Sequence, residues 1–147
     1  MSTQSFPFDF QRTPNFFSMF NNNFHLTDMT SSANNSFQLV FASYCPNNIE
    51  DCLIGNYLDP SEVIIADGGS AIVSCDLLWD NDDEVIYLRD EVKWTVETGN
   101  TPLQGVFLRD KNSQVVMGYS IHPNPFDVSN EVSIRANTVL WSFVDGN

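Results

Sequence analysis

Basic residues are scarce. Six Lys plus Arg stand against nineteen Asp plus Glu in 147 residues, giving a formal charge of −13 and a pI near 4.1. A surface of that sign repels phosphate backbones and anionic headgroups, so neither nucleic acid nor membrane is an expected direct partner. Histidine is almost as rare, with only His25 and His122. His25 lies in an Asn/Phe-rich stretch and His122 beside Pro123, and neither flanks a recognisable nucleophile, so the commonest acid–base group near neutral pH has no visible job. The G-x-S-x-G, H-E-x-x-H, G-x-G-x-x-G and P-loop patterns are all missing. Cysteine is limited to Cys45, Cys52 and Cys75, an odd count whose only close pair is C-x6-C. That spacing is not a zinc signature, and the expectation is reduced thiols acting as small core hydrophobes, with a Cys45–Cys52 disulfide as the alternative. Long apolar runs are missing too. Val63-Ile64-Ile65-Ala66 is far short of the roughly 20 residues a membrane helix needs, and residues 1–10 hold no Lys or Arg ahead of an apolar run, so no signal peptide is expected. The reading from absences is a non-enzymatic chain with no catalytic residue, no cofactor and no metal.

What is present is unevenly spread. Residues 1–48 carry Asp9 and Asp28 against Arg12; residues 49–97 carry thirteen acids against Arg89 and Lys93, a net of −11; the remainder is net −1. Nearly all the negative charge sits in the middle third. Aromatics run the other way: Phe6, Phe8, Phe10, Phe16, Phe17, Phe20 and Phe24 account for seven of the twelve phenylalanines. They are mixed with Pro7, Pro14 and Asn21-Asn22-Asn23 and show no sustained helical or strand period, so residues 1–35 read as an extended arm. Disordered segments avoid such aromatic density, because chains stay unfolded when they have too little apolar surface to offset ordering entropy. The expected role of these seven side chains is docking into neighbouring subunits; the alternative is packing back on the parent domain as edge strands.

From residue 36 onward the pattern is β. Phe37, Leu39 and Phe41 alternate with Gln38 and Val40; Val92, Trp94 and Val96 with Lys93 and Thr95; Val139, Trp141 and Phe143 with Leu140 and Ser142. Such alternation predicts strands with one buried face. Residues 62–66, 71–79, 84–89, 103–109, 115–121 and 131–134 add further strands. Turns are marked by Asp67-Gly68-Gly69, Asn81-Asp82-Asp83, Thr98 to Pro102 and Asp110-Lys111-Asn112-Ser113, while His122-Pro123-Asn124-Pro125 reads as a rigid loop. One short helical turn fits within residues 48–56. The predicted fold is all-β, a jelly-roll-like β-sandwich of about eight strands over residues 36–147 with the arm at 1–35.

Two side-chain groups compete for a role. Asp80-Asn81-Asp82-Asp83-Glu84 has alternating oxygen donors, and Glu91 falls at the twelfth place of a calcium-loop register. However, Val85 occupies the sixth place where glycine is needed, and the expected strand at 84–89 conflicts with such a loop. The plain reading is a solvated acidic hairpin tip. Trp79, Trp94 and Trp141 with Tyr44, Tyr57, Tyr87 and Tyr119 could stack on sugars, but the alternation assigns Trp94 and Trp141 to the core and leaves Trp79 and Tyr119 as surface candidates.

Leu103-Gln104-Gly105-Val106-Phe107-Leu108, residues 115–121, Val132-Ser133-Ile134 and Leu140-Trp141-Ser142-Phe143 form a sequence of apolar strand, hairpin, apolar strand, polar turn and final aromatic strand. Over about 45 residues this resembles the closing strands of small β-sandwich virion proteins of tailed phages, which decorate capsids or build fibres and tails. The resemblance implies a structural subunit made in the host cytoplasm and carried in the virion. Its partners would be capsid or tail subunits and other copies of itself, reached by an arm. The rival reading is a carbohydrate- or receptor-binding module, calcium-stapled at Asp80–Glu84.

Overall fold

The computed structural model describes residues 3–4, 10–13, 37–80, 82–97 and 99–142. Among these, fourteen strands and one helical turn follow in order: β1 (Thr3–Gln4), β2 (Gln11–Arg12), β3 (Phe37–Tyr44), α1 (Ile49–Cys52), β4 (Leu53–Ile54), β5 (Tyr57–Leu58), β6 (Ile64–Ile65), β7 (Ile72–Cys75), β8 (Leu77–Asp80), β9 (Val85–Leu88), β10 (Val92–Thr95), β11 (Thr101–Asp110), β12 (Val116–Val128), β13 (Glu131–Ile134) and β14 (Val139–Ser142). The all-β expectation holds, and the short helix sits where the sequence places it, with the Asn48 side chain accepting from Glu50 N.

The central sheet runs β2-β12-β11-β3, and β6 and β7 follow one another along the outer edge of β3. Between those two pieces the chain loops out through a 3-10 turn, Ala66–Gly69, where Asp67, Gly68 and Gly69 all take positive φ. Two smaller sheets, β1-β13-β10 and β14-β9-β8, share the main core with one face of the central sheet. That core joins Phe37, Leu39, Phe41, Val106 and Leu108 to Leu77, Ile86, Leu88, Trp94, Val132 and Trp141. Trp94 stacks on Phe41 with ring centroids 5.3 Å apart.

The expectation of one buried face fails on the central strands. Val40, Ala42 and Phe107, on the opposite face, are also inaccessible, packed with Cys45, Cys52, Val63 and Val116. The segment from Cys45 to Val63, with its helical turn and the β4-β5 hairpin, covers this face as a further layer. This explains why Leu39–Ala42 and Gly105–Leu108 read as unbroken apolar stretches: a sheet covered on both sides leaves alternation no solvent to record.

Three local expectations change. Residues 71–79 are two strands, β7 and β8, separated at Asp76. Its carboxylate is buried and meets Arg89 Nη2 at 2.8 Å, while Arg89 N donates to the Asp76 carbonyl at 3.1 Å. His122-Pro123-Asn124-Pro125 lies within β12 as a wide bulge. Leu103 pairs with Phe126 and Gly105 with Ile121, so these residues stand opposite Gln104 alone. Gln104 spans the irregularity: Oε1 accepts from Cys45 N at 3.1 Å, and Nε2 donates to Asn47 Oδ1 at 3.0 Å and to the His122 carbonyl at 3.5 Å. In β14 a register shift between Val139 and Trp141 turns Leu140 and Trp141 both inward and leaves Val139 exposed, breaking the predicted alternation; Phe143 lies outside the described residues.

The turns follow their side chains. Asp80 Oδ1 accepts from Asp82 N and Asp83 N at 2.9 and 3.2 Å, closing the β8–β9 hairpin. Asp110 Oδ2 does the same for Asn112 N and Ser113 N at 3.1 and 2.7 Å between β11 and β12.

Candidate functional site: the arm seat on β12

Residues 10–13 of the arm are held against the central sheet. β2 pairs antiparallel with β12, Gln11 opposite Tyr119 and Arg12 opposite Gly118. The next residue extends the clasp: Thr13 N donates to the Met117 carbonyl at 3.0 Å, and Thr13 Oγ1 to the Val116 carbonyl at 2.9 Å. Thr13 is 4% exposed although polar, which that pairing makes tolerable. On the preceding side Phe10 is 7% exposed and meets Trp141 edge to face, centroids 6.2 Å apart. Burial of a phenylalanine is worth about 1.5–3 kcal/mol and the aromatic contact about 0.5–1.5 more.

The seat exists because position 118 has no side chain. A Cβ there would overlap Trp141 Cζ2, approach Cη2 at 3.0 Å and stand 3.2 Å from the Gln11 carbonyl. Gly118 therefore lets the indole and the arm backbone close on β12 from two directions. A lone glycine inside an apolar strand marks such close approach, and it is the sequence signal available for the seat. Nothing in the sequence pattern singles out Thr13 and Trp141 as the residues that meet there.

Of the seven predicted docking phenylalanines, Phe10 is packed in the core of its own chain. Phe6, Phe8, Phe16, Phe17, Phe20 and Phe24 lie outside the described residues. Further toward the N-terminus, β1 runs parallel to β13, Thr3 opposite Glu131 and Gln4 opposite Val132. The described arm residues thus add strands to two different sheets.

The other sequence candidates are placed as follows. All three thiols are free and buried. Cys45 and Cys52 share a hydrogen bond that, with burial, pushes the Cys45 thiol up; Cys52 Sγ also donates to the Pro46 carbonyl at 3.3 Å. Burial, with Asp76 adjacent, pushes Cys75 up to about 12. Trp94 and Trp141 are in the core as expected, whereas Trp79 and Tyr119 are half-buried against apolar clusters and do not form an open platform. His122 Nδ1 lies 2.9 Å from the Asn124 carbonyl, and its ring meets Phe126 edge to face. Among the described residues no three His, Cys, Asp or Glu side chains converge as a metal site, and no helix is long and apolar enough to cross a membrane. Comparison of the chain with protein-family models, with curated proteins and with solved structures finds no match.

Proposed function

We propose that this chain is a non-enzymatic structural subunit that assembles through its N-terminal arm, and that its setting is a virion, as a capsid-decorating, head-fibre or tail component made in the host cytoplasm. The observation that carries the assembly reading is the arm seat, where residues 10–13 bind as an added strand capped by a buried phenylalanine. Strand addition gives affinity through main-chain hydrogen bonds and selectivity through side-chain pockets. A segment that binds its own sheet this way is equipped to bind the same seat on a neighbouring copy. The virion setting rests on the resemblance of the closing strands. A jelly-roll-like arrangement is the finer reading of the sandwich, supported by its sheets closing on one main core.

The test is the solution mass of the full chain beside a chain lacking residues 1–35 and a full-length triple variant, Phe16→Ser with Phe17→Ser and Phe20→Ser, each checked for β content. The expectation is that the full chain associates, with itself or with a capsid or tail component, that the truncated chain stays folded and loses that association, and that the triple variant, whose seat is intact, keeps only the part that runs through the seat. Equal monomeric masses for the full chain and the folded triple variant, with no component bound by either, overturn the assembly reading. The triple variant leaves the described seat intact, so it remains informative where the truncation unfolds.

A further inference from the structure

Cations in this chain are few, and two of those described are matched to carboxylates: Arg89 to Asp76 and Asp90, and Lys93 to Glu91 and Glu131. Arg109 is half-buried and has no such match among the described residues, although the chain carries nineteen acids. Its Nε donates to Gln38 Oε1 at 2.9 Å, and among the described residues no carboxylate lies within 4.0 Å of its guanidinium. Burial draws its pKa below the ordinary value without an anion to offset the loss of water.

Arg109 sits near the end of β11, paired with Gln38 on one side and Val116 on the other. It lines a cavity of about 530 Å³ whose walls include Val63, Ile64, Ile65 and the turn residues Gly68 and Gly69. That volume falls within the range of about 300–1,000 Å³ common for small-molecule sites, which combine apolar walls with a few fixed polar groups. Gly68 and Gly69 hold positive φ, and among the described residues none beyond their chain neighbours lies within 4 Å of where their Cβ atoms would be, so the turn leaves this space open. Asp59 also lines the cavity, with Oδ1 already accepting from Ser61 N and Oγ at 2.9 and 2.7 Å. Its charge disfavours a ligand carrying more than one negative charge, such as a phosphate ester.

We propose that this cavity binds a small aliphatic monocarboxylate, with the carboxylate on the Arg109 guanidinium and the chain against Val63, Ile64 and Ile65. An arginine presents paired N–H donors that match a carboxylate in geometry as well as charge. The inference stands apart from the assembly reading, since neither the described arm residues nor their seat line the cavity.

Calorimetric titration of the full chain with octanoate, below its micelle concentration, and with 1-octanol tests it. Octanoate is expected to bind at least about tenfold tighter than 1-octanol, the difference that one charge-assisted interaction supplies. Arg109→Gln is expected to lose at least the same factor, and Arg109→Lys to recover part of it. Amide shifts on octanoate addition are expected to centre on Ile64, Gly69 and Arg109. Absence of octanoate binding, equal binding of the two ligands, or shifts centred elsewhere each overturn the proposal. The comparison of two ligands uses the unaltered protein, so it decides the matter even where an Arg109 variant misfolds.

Discussion

Replacing Gly118 by alanine puts one methyl group into space held by the Trp141 indole. The nearest atoms, Cζ2 and Cη2, belong to the outer ring of that indole, and the Gln11 carbonyl stands 3.2 Å away on the arm side. Neither neighbour can give easily: Trp141 is 5% exposed and edged by Phe10, and Gln11 is fixed by its pairing with Tyr119. Overpacking of this kind costs about 1–3 kcal/mol. With a urea slope of about 1–3 kcal/mol/M, the unfolding midpoint falls by roughly 1 M. The mechanism is isolated by a double-mutant cycle with Trp141→Phe, which removes the two atoms that collide. The Trp141→Phe change costs stability alone, but Gly118→Ala costs less in its presence, so the coupling is favourable by about 1 kcal/mol or more. Unfolding followed by far-ultraviolet circular dichroism supplies the four stabilities, and near-ultraviolet signals report whether the tryptophan has moved. A Gly118→Ala loss within about 0.5 kcal/mol, or additivity within about 0.3–0.5 kcal/mol, refutes the argument that the empty Cβ position forms the seat.

Two other perturbations probe the body of the fold. Arg89→Met takes the guanidinium away from the Asp76 carboxylate, which is 1% exposed; the urea midpoint is expected to fall, and Asp76→Asn added to it to recover part of the loss, whereas an unchanged midpoint shows that the pair does not hold the β7–β8 corner. The raised Cys75 pKa sets a sign for alkaline behaviour, because above about pH 9 the unfolded chain loses the thiol proton while the folded chain keeps it up to about 12. The stability this thiol contributes is complete below pH 9 and falls by about 1.4 kcal/mol per pH unit between those limits. Cys75→Ala removes that slope, and identical pH profiles for the two proteins refute the assignment.

The β class is legible in the sequence, along with most turns, because those features are written locally. Asp80 and Asp110 close hairpins with hydrogen bonds to residues two and three positions on, and Asn48 caps its own helical turn. Buried tryptophans are legible from alternation as well. The second covered face of the central sheet is not, because Val40 and Ala42 look the same whether they face solvent or the Cys45–Val63 cover. The bulge at residues 122–125 reads as a loop because two prolines remove ladder donors. Only its partner strand reveals that pairing resumes at Phe126. The arm seat joins Phe10 and Thr13 to Gly118 and Trp141 across more than a hundred positions of sequence, and local pattern carries no record of such meetings. The Arg109 cavity is hidden for the same reason.

The arm seat also fixes an accounting rule for any assembly built by exchanging it. Each subunit carries one arm and one seat on β12, so a seat taken by a neighbour's arm leaves that neighbour's own seat for another. Closed monomers, reciprocal pairs and closed rings then hold the same number of filled seats per subunit. The seat itself favours none of them. In any such assembly the choice passes to subunit concentration and to contacts outside the seat, so the strength of the clasp does not by itself set how many subunits join.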